Sequence, residues 1–383
     1  MKKIFLIVLL FFLTACSIKK HVSKGKLISK QSTFEYGELY KLEDIFKNKD
    51  ITFTEQYLDV SNLGKNNITI NYKKDNLEYS ENFTYNVVDT TKPLIWLGKS
   101  YTIYVNEDDD LVNKIICADN YDRHPNCYIK GEYDQSIIGS YPLTYVAKDS
   151  NGNTQEIDFT LYVKERPVNN FSNNIHEVLD INDVIKEYKT DKTMIGIDVS
   201  KHQGVIDWKE VKNAGIEFAM IRLGIGYTDL KLDEQYIANI TGALNNNIKV
   251  GIYFYSYATT IEEVKDQANF VLKNIKGYDI TFPIAFDWEN FNGWNAYGLS
   301  LYDLRNMNDT FADIMIKNGY KVIQYGSKNY LNAFWSPIKY DTWLAHYITG
   351  NTDYDKDFKM WQICNNGKVP GINTDVDIDI YYN

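Results

Sequence analysis

From residue 31 to about 165 the chain alternates apolar and polar positions with a period of two. Clear runs are Ile68-Thr-Ile-Asn-Tyr72, Asn82-Phe-Thr-Tyr-Asn-Val87, Tyr101-Thr-Ile-Tyr-Val105, Tyr141-Pro-Leu-Thr-Tyr-Val146 and Ile157-Asp-Phe-Thr-Leu-Tyr-Val163. Successive side chains on a strand point to opposite faces, so the alternation predicts half-buried strands. Turn clusters such as Asp149-Ser-Asn-Gly-Asn153 separate them. Several short strands at this spacing predict two small all-β sandwiches, at 31–90 and 91–165.

The rhythm changes at Met194. Short apolar runs fall at Ile195–Val199, Phe218–Leu223, Val250–Tyr255, Phe282–Phe286, Lys321–Tyr325, Thr342–Ala345, Lys359–Ile363 and Val376–Ile380. Segments of helical period lie between them at 207–214, 233–246, 260–275, 300–318 and 327–334. Strands alternating with helices predict an irregular β/α barrel over 193–383, TIM-like, with about five β/α units and three further strands. Residues 166–192 hold Pro167 and an amphipathic stretch, Ile175–Tyr188, and predict a linker with one helix.

The amino terminus is of another kind. Met1-Lys-Lys is followed by the apolar run Ile4–Leu13 and then Thr14-Ala15-Cys16. A charged start, a short apolar run and small residues describe a secretory signal at 1–16. The run is well short of the roughly 20 residues that span a bilayer. Leu13-Thr14-Ala15-Cys16 resembles the bacterial lipobox, which implies diacylation of Cys16 and a membrane tether through residues 17–30. Export makes a local disulfide between Cys117 and Cys127 plausible; Cys364 is left as a buried thiol.

Charge then removes several classes. The 383 residues carry 41 Lys+Arg against 51 Asp+Glu, a net charge of −10. No basic excess exists to release counterions, so nucleic acid is not the expected partner. No Cys-x-x-Cys or His-Glu-x-x-His spacing supports a zinc site, and no metal is expected. The acidic run at 107–110 reads as a solvated loop in preference to a calcium site. Leu223-Gly-Ile-Gly-Tyr227 lacks the third glycine of a dinucleotide fingerprint, and no cofactor is expected.

The candidate chemistry sits at strand ends, where β/α barrels carry their catalytic groups. The first barrel strand ends at Ile197-Asp198-Val199-Ser200 and the fourth at Phe286-Asp287-Trp288-Glu289, while the eighth contains Val376-Asp377. Asp287 and Glu289 are two apart, so a continuing strand would point both to one face. Paired carboxyls repel, which raises one pKa and yields one proton donor beside one anion. That pairing suits hydrolysis of a glycosidic bond.

Two resemblances follow from these residues. Val88-Asp-Thr-Thr-Lys-Pro93, Ala118-Asp-Asn120 and Ile138–Asn153 resemble the seam and later segments of tandem bacterial immunoglobulin-like domains, which implies that the two sandwiches form a stalk. Gly196-Ile-Asp-Val-Ser-Lys-His-Gln-Gly-Val-Ile-Asp-Trp208 and Phe286-Asp-Trp-Glu289 resemble motifs of glycoside hydrolase family 25, the muramidases. Trp343-Leu-Ala-His-Tyr347, Trp361-Gln362, Gly367–Ile372 and Val376-Asp377 follow in the family's order.

By position the resemblance implies that Glu289 is the general acid. Asp287 would stabilise positive charge or an oxazolinium, and Asp198 and Asp377 would line the same pocket. Phe254 departs from the family, where His is frequent. Tyr253, Tyr255, Tyr325 and Trp343 are candidates to stack on sugar rings or to pack the barrel core. The expectation is an extracytoplasmic, lipid-anchored, monomeric muramidase that cleaves peptidoglycan glycan strands. The alternatives are a non-catalytic wall-binding lipoprotein and a hydrolase of another polysaccharide.

Overall fold

The structure is a computed structural model describing residues 23–24, 26–107, 110–167 and 178–383. The signal segment with Cys16, the first part of the tether and residues 168–177 of the linker lie outside the described residues. Two compact units divide between Val88 and Asp89.

The first unit is built on a long hairpin, Gly64–Lys74 against Leu77–Val88, in unbroken antiparallel register. Asp75 and Asn76 form its turn with φ of 49° and 63°. Two consecutive positive φ values belong to the turn whose twist matches the flanking strands, and Asp and Asn tolerate it. Thr33–Glu35 and Thr52–Phe53 add to the two sides of the hairpin. With Ser23–Lys24 paired to Leu77–Val88, these strands form one five-stranded sheet among the described residues, not the two packed sheets expected. Its apolar face is covered by the short helix Leu42–Ile45 and by rings of Phe34, Phe46, Phe83 and Tyr85 in mutual contact.

The second unit begins with a small module. A four-stranded sheet has the order Ser100–Tyr104, Thr154–Lys164, Gly139–Lys148, Asn126–Lys130. The two-stranded pair Leu94–Trp96 and Ile116–Ala118 shares a core with it, formed by Ile95, Ile103, Leu143, Tyr145 and Leu161 among others. Cys117 and Cys127 are joined in a disulfide that ties the pair to the edge strand.

Eight strands then close into a barrel: β1 (Thr193–Val199), β2 (Phe218–Gly226), β3 (Lys249–Ser256), β4 (Ile284–Asp287), β5 (Val322–Ser327), β6 (Thr342–Ala345), β7 (Met360–Gly367) and β8 (Val376–Tyr382). Strands β1 to β7 run parallel to their neighbours in chain order; β8 runs antiparallel to both β7 and β1 and completes the ring. Five helices of six residues or more lie between the first six strands: α1 (Trp208–Asn213), α2 (Tyr236–Asn245), α3 (Ile261–Ile275), α4 (Leu301–Lys317) and α5 (Lys328–Ala333). Thr260 with Glu263, and Ser300 with Asp303, form capping boxes that fix where α3 and α4 start. Gly196 is needed on β1, because a Cβ there would come within 2.4 Å of the Phe218 ring.

The small module packs directly on the barrel, contrary to the expected stalk. The backbone N–H groups of Leu301 and Tyr302, unpaired within α4, donate to the carbonyls of Asp119 and Asn120 at 2.7 and 3.3 Å. The Asn295 side chain accepts from Cys117 N and donates to the carbonyls of Asn113 and Ile115. Arg123 forms a two-pronged pair with Asp303, and Trp96 stacks on Tyr330 with ring centroids 5.4 Å apart. An exposed ion pair contributes about 0–1 kcal/mol. A large apolar side chain contributes about 1.5–3 kcal/mol when fully buried. Trp96 is only partly buried, so its contact contributes less than that. Helix Ile181–Tyr188, shorter than the amphipathic stretch predicted, also packs on the barrel through Ile181 and Val184.

Candidate active site

The strands bring their acids to one end of the barrel. Asp198 near the end of β1 lies opposite Asp377 on β8 in the antiparallel register. Asp287 is the last residue of β4. Glu289 lies beyond the strand, so the rule that placed it by strand alternation applies only in part. The turn is nevertheless held in place. Trp288 is 2% exposed, packs edge-on against Phe291 and donates from Nε1 to the carbonyl of Ala258 at 2.8 Å. With Trp288 anchored in the wall, Asp287 and Glu289 both line a cavity of about 350 Å³ with Asp198 and Asp377.

The cavity is crowded with carboxyls, and burial sets their protonation. Burial raises Asp287 well above the ordinary range; the charge of Glu289 and a hydrogen bond with it add to the rise, and Arg222 opposes it. Glu289 is surrounded by protein yet open to the cleft, and burial raises it as well. The hydrogen bond with Asp287 favours the Glu289 anion. These two groups titrate as a pair, with the shared proton favoured on Asp287 in the free site. Asp377 is pushed up to about 9, by burial first and then by Asp198. Asp198 is raised well above the ordinary range by burial and by Asp379, against a hydrogen bond from Gln362 at 2.6 Å.

Several site residues carried no role in the sequence reading. Asp379 is fully buried, accepts from Trp343 Nε1 at 2.8 Å and is raised by burial and by Asp377. It could have been found by the strand rule, since 377 and 379 share a face of β8. Gln362 links Asp198 to the hydroxyls of Tyr347 at 3.0 Å and Tyr325 at 3.3 Å. Arg222 on β2 reaches the acids while its own charge is held by Asp233 at 2.7 Å. No local spacing signals that pair.

The aromatic candidates divide. Tyr253, Tyr325 and Trp343 border the cavity but are at least nine-tenths buried, and Trp343 meets the other two edge-on at 6.1 and 4.7 Å. They form its floor and offer little open ring face. Tyr255 is half-buried on the wall and Tyr347 is 50% exposed at the rim. These two have open surface to meet a ring.

A closed barrel whose strand ends present paired carboxyls beside aromatic side chains defines a glycoside-hydrolase type of site. Residues 197–372 match the model described as glycosyl hydrolases family 25. The chain is 32% identical over 195 residues to lysozyme M1 of Streptomyces globisporus, and 29% identical over 190 residues to the autolytic lysozyme of Clostridium acetobutylicum. Those alignments cover 48% and 49% of this chain, and 65% and 55% of the relatives. The chain thus spans less than two thirds of the length of either. Among solved structures, a family 25 glycosyl hydrolase from Bacillus anthracis aligns at 23% identity and a TM-score of 0.45, over 51% of this chain and 92% of that one.

The raised carboxyl of Asp377 makes a stability prediction. Its folded value lies above the unfolded one, so its penalty is absent below about pH 4 and grows as pH rises toward 9. Asp377→Asn is expected to melt a few degrees above the native protein at pH 7 and together with it at pH 4. Equal melting temperatures at both pH values in calorimetry would show that this acid is not strained.

Proposed function

We propose that residues 193–383 are a muramidase that hydrolyses the β-1,4 bond between N-acetylmuramic acid and N-acetylglucosamine in peptidoglycan. The observation that carries the reading is the Asp287–Glu289 carboxyl pair, set together with Asp198 and Asp377 around the cavity at one end of the barrel. The names of the relatives, lysozyme and autolytic lysozyme, point the same way.

In this reading Glu289, the more open of the pair, gives a proton to the glycosidic oxygen. The bond from the anomeric carbon to that oxygen breaks, with its electrons going to the leaving sugar. The developing positive charge, on the ring or on an oxazolinium formed by the N-acetyl group, lies beside Asp287. That charge favours the Asp287 anion and so moves the shared proton toward Glu289 as the reaction needs it. Water then adds to the anomeric carbon and its proton returns to Glu289. Asp198, held by Gln362, and Asp377 line the pocket and orient the sugar. Tyr255 and Tyr347 meet ring faces.

Glu289→Gln keeps size and polarity but has no proton to give. Loss of a general acid costs about 10²–10⁴-fold in rate. Purified sacculi digested with the native protein and then reduced with borohydride are expected to show new reduced muramic acid ends by mass spectrometry, with few from the variant. Reduced glucosamine ends would point to a glucosaminidase, and no new ends to a binding protein.

We further propose that the protein works outside the cytoplasm, held to the membrane by lipid on Cys16. The support is the sequence Leu13-Thr14-Ala15-Cys16 behind a short apolar run. Two acyl chains anchor stably, where one holds only marginally. Among the described residues no helix is long and apolar enough to cross a membrane. Cys16→Ala is expected to abolish incorporation of labelled palmitate in the expressing cell; unchanged labelling would remove the anchor.

A further inference from the structure

Three carboxylates meet within the small module, away from the barrel cavity. Asp89 lies at the seam, Asp119 follows strand Ile116–Ala118, and Asp149 opens the hairpin between Gly139–Lys148 and Thr154–Lys164. They are 30 residues apart along the chain, yet one oxygen from each lies within 4.8 Å of the others. Their exposures are 9%, 1% and 5%.

The surrounding loops hold these groups in place. Asp119 Oδ1 accepts from the backbone N–H of Tyr121 at 3.0 Å and of Asp122 at 2.7 Å. Asp119 Oδ2 is buried with no hydrogen-bond partner, and is the oxygen left for the cluster. Asp149 accepts from the backbone and side-chain amides of Asn153. Asp89 Oδ2 accepts from Asn151 at 2.6 Å. Ser150 N donates to Asp122 at 2.8 Å, which fixes the hairpin to the loop after Asp119.

A buried carboxylate oxygen without a donor costs about 1–3 kcal/mol or more, and two neighbouring carboxylates add repulsion. A cation would remove both costs. The donors are hard oxygens, which suit calcium and not zinc or copper. Calcium–oxygen distances are about 2.3–2.6 Å, so oxygens around one ion lie up to about 5 Å apart, as they do here. Magnesium holds its ligands closer and resists losing water.

We propose that Asp89, Asp119 and Asp149 bind one calcium ion that braces the small module against the barrel. The brace runs through the loop after Ala118. The Asp119 and Asn120 carbonyls of that loop accept from the first N–H groups of α4. The ion therefore holds together the seam, the hairpin and the loop that caps a barrel helix.

The test uses the whole protein, first stripped with chelator. Equilibrium dialysis against labelled calcium is expected to give one ion per chain. Calcium is expected to raise the melting temperature of the native protein. Asp149→Asn, on the hairpin and clear of the catalytic machinery, should weaken binding by about tenfold or more. It should also lose the calcium-dependent rise in melting temperature while keeping muramidase turnover. Tb³⁺ luminescence on the native protein, displaced by calcium, reads the site without any variant. No bound calcium at millimolar concentration would overturn the proposal and leave a protonated Asp119 as the answer. Binding that survives Asp149→Asn but is lost in Asp110→Asn would overturn it too, by placing the ion at the acidic run.

Discussion

The structure depends most on the crowding of carboxyl groups at one end of a closed barrel. Asp198, Asp287, Asp377 and Asp379 are raised by burial before any other cause, and Glu289 joins them. Arg222 stands close, but Asp233 takes up much of its charge. Protons are therefore the main means of neutralising the cluster. Holding protons on carboxyls at neutral pH is what an acid catalyst of glycoside cleavage requires. The barrel makes this possible because its ring of backbone hydrogen bonds fixes the strand ends against repulsion. The β1–β8 register alone sets Asp198 against Asp377.

Around that cluster the rest of the domain acts as support. Gln362 holds Asp198 and is itself held by two tyrosines. Trp343 donates to Asp379, which makes it part of the floor. Trp288 anchors the turn that carries Glu289 past the end of β4. Gln362 and Trp343 donate directly to acids, while Trp288 donates to a backbone carbonyl. The small module meets the barrel at the first turn of α4, where the Asp119 and Asn120 carbonyls accept from Leu301 and Tyr302 N–H.

The barrel was largely legible in the sequence because its signals are local. Apolar runs of four to six residues marked the strands within a few positions, and helical period marked the five longer helices. Four site acids stood at strand ends and could be picked out one by one. Arg222 and Asp233 could not, because they are only 11 apart but no motif or spacing marks them as a pair. Nor could Gln362, because it meets Asp198 across 164 positions. The same distance hid the docking of the small module, where Arg123 and Asp303 are 180 apart. Three of the module's six strands lie where alternation was read, at Ser100–Tyr104, Gly139–Lys148 and Thr154–Lys164, but alternation says only that one face is buried and not what covers it. In the first unit, the same limit turned one sheet under a short helix into an expected sandwich. Cys16 rests on sequence alone.

The central claim is that the barrel keeps protons on several acids at neutral pH. Carbon-13 NMR of protein labelled at the Asp and Glu carboxyls measures this directly by titration. The account predicts at least two carboxyl resonances still in their protonated positions at pH 7, with Asp377→Asn removing one and Asp287→Asn removing another. A titration in which every carboxyl is ionised by pH 6 would contradict it.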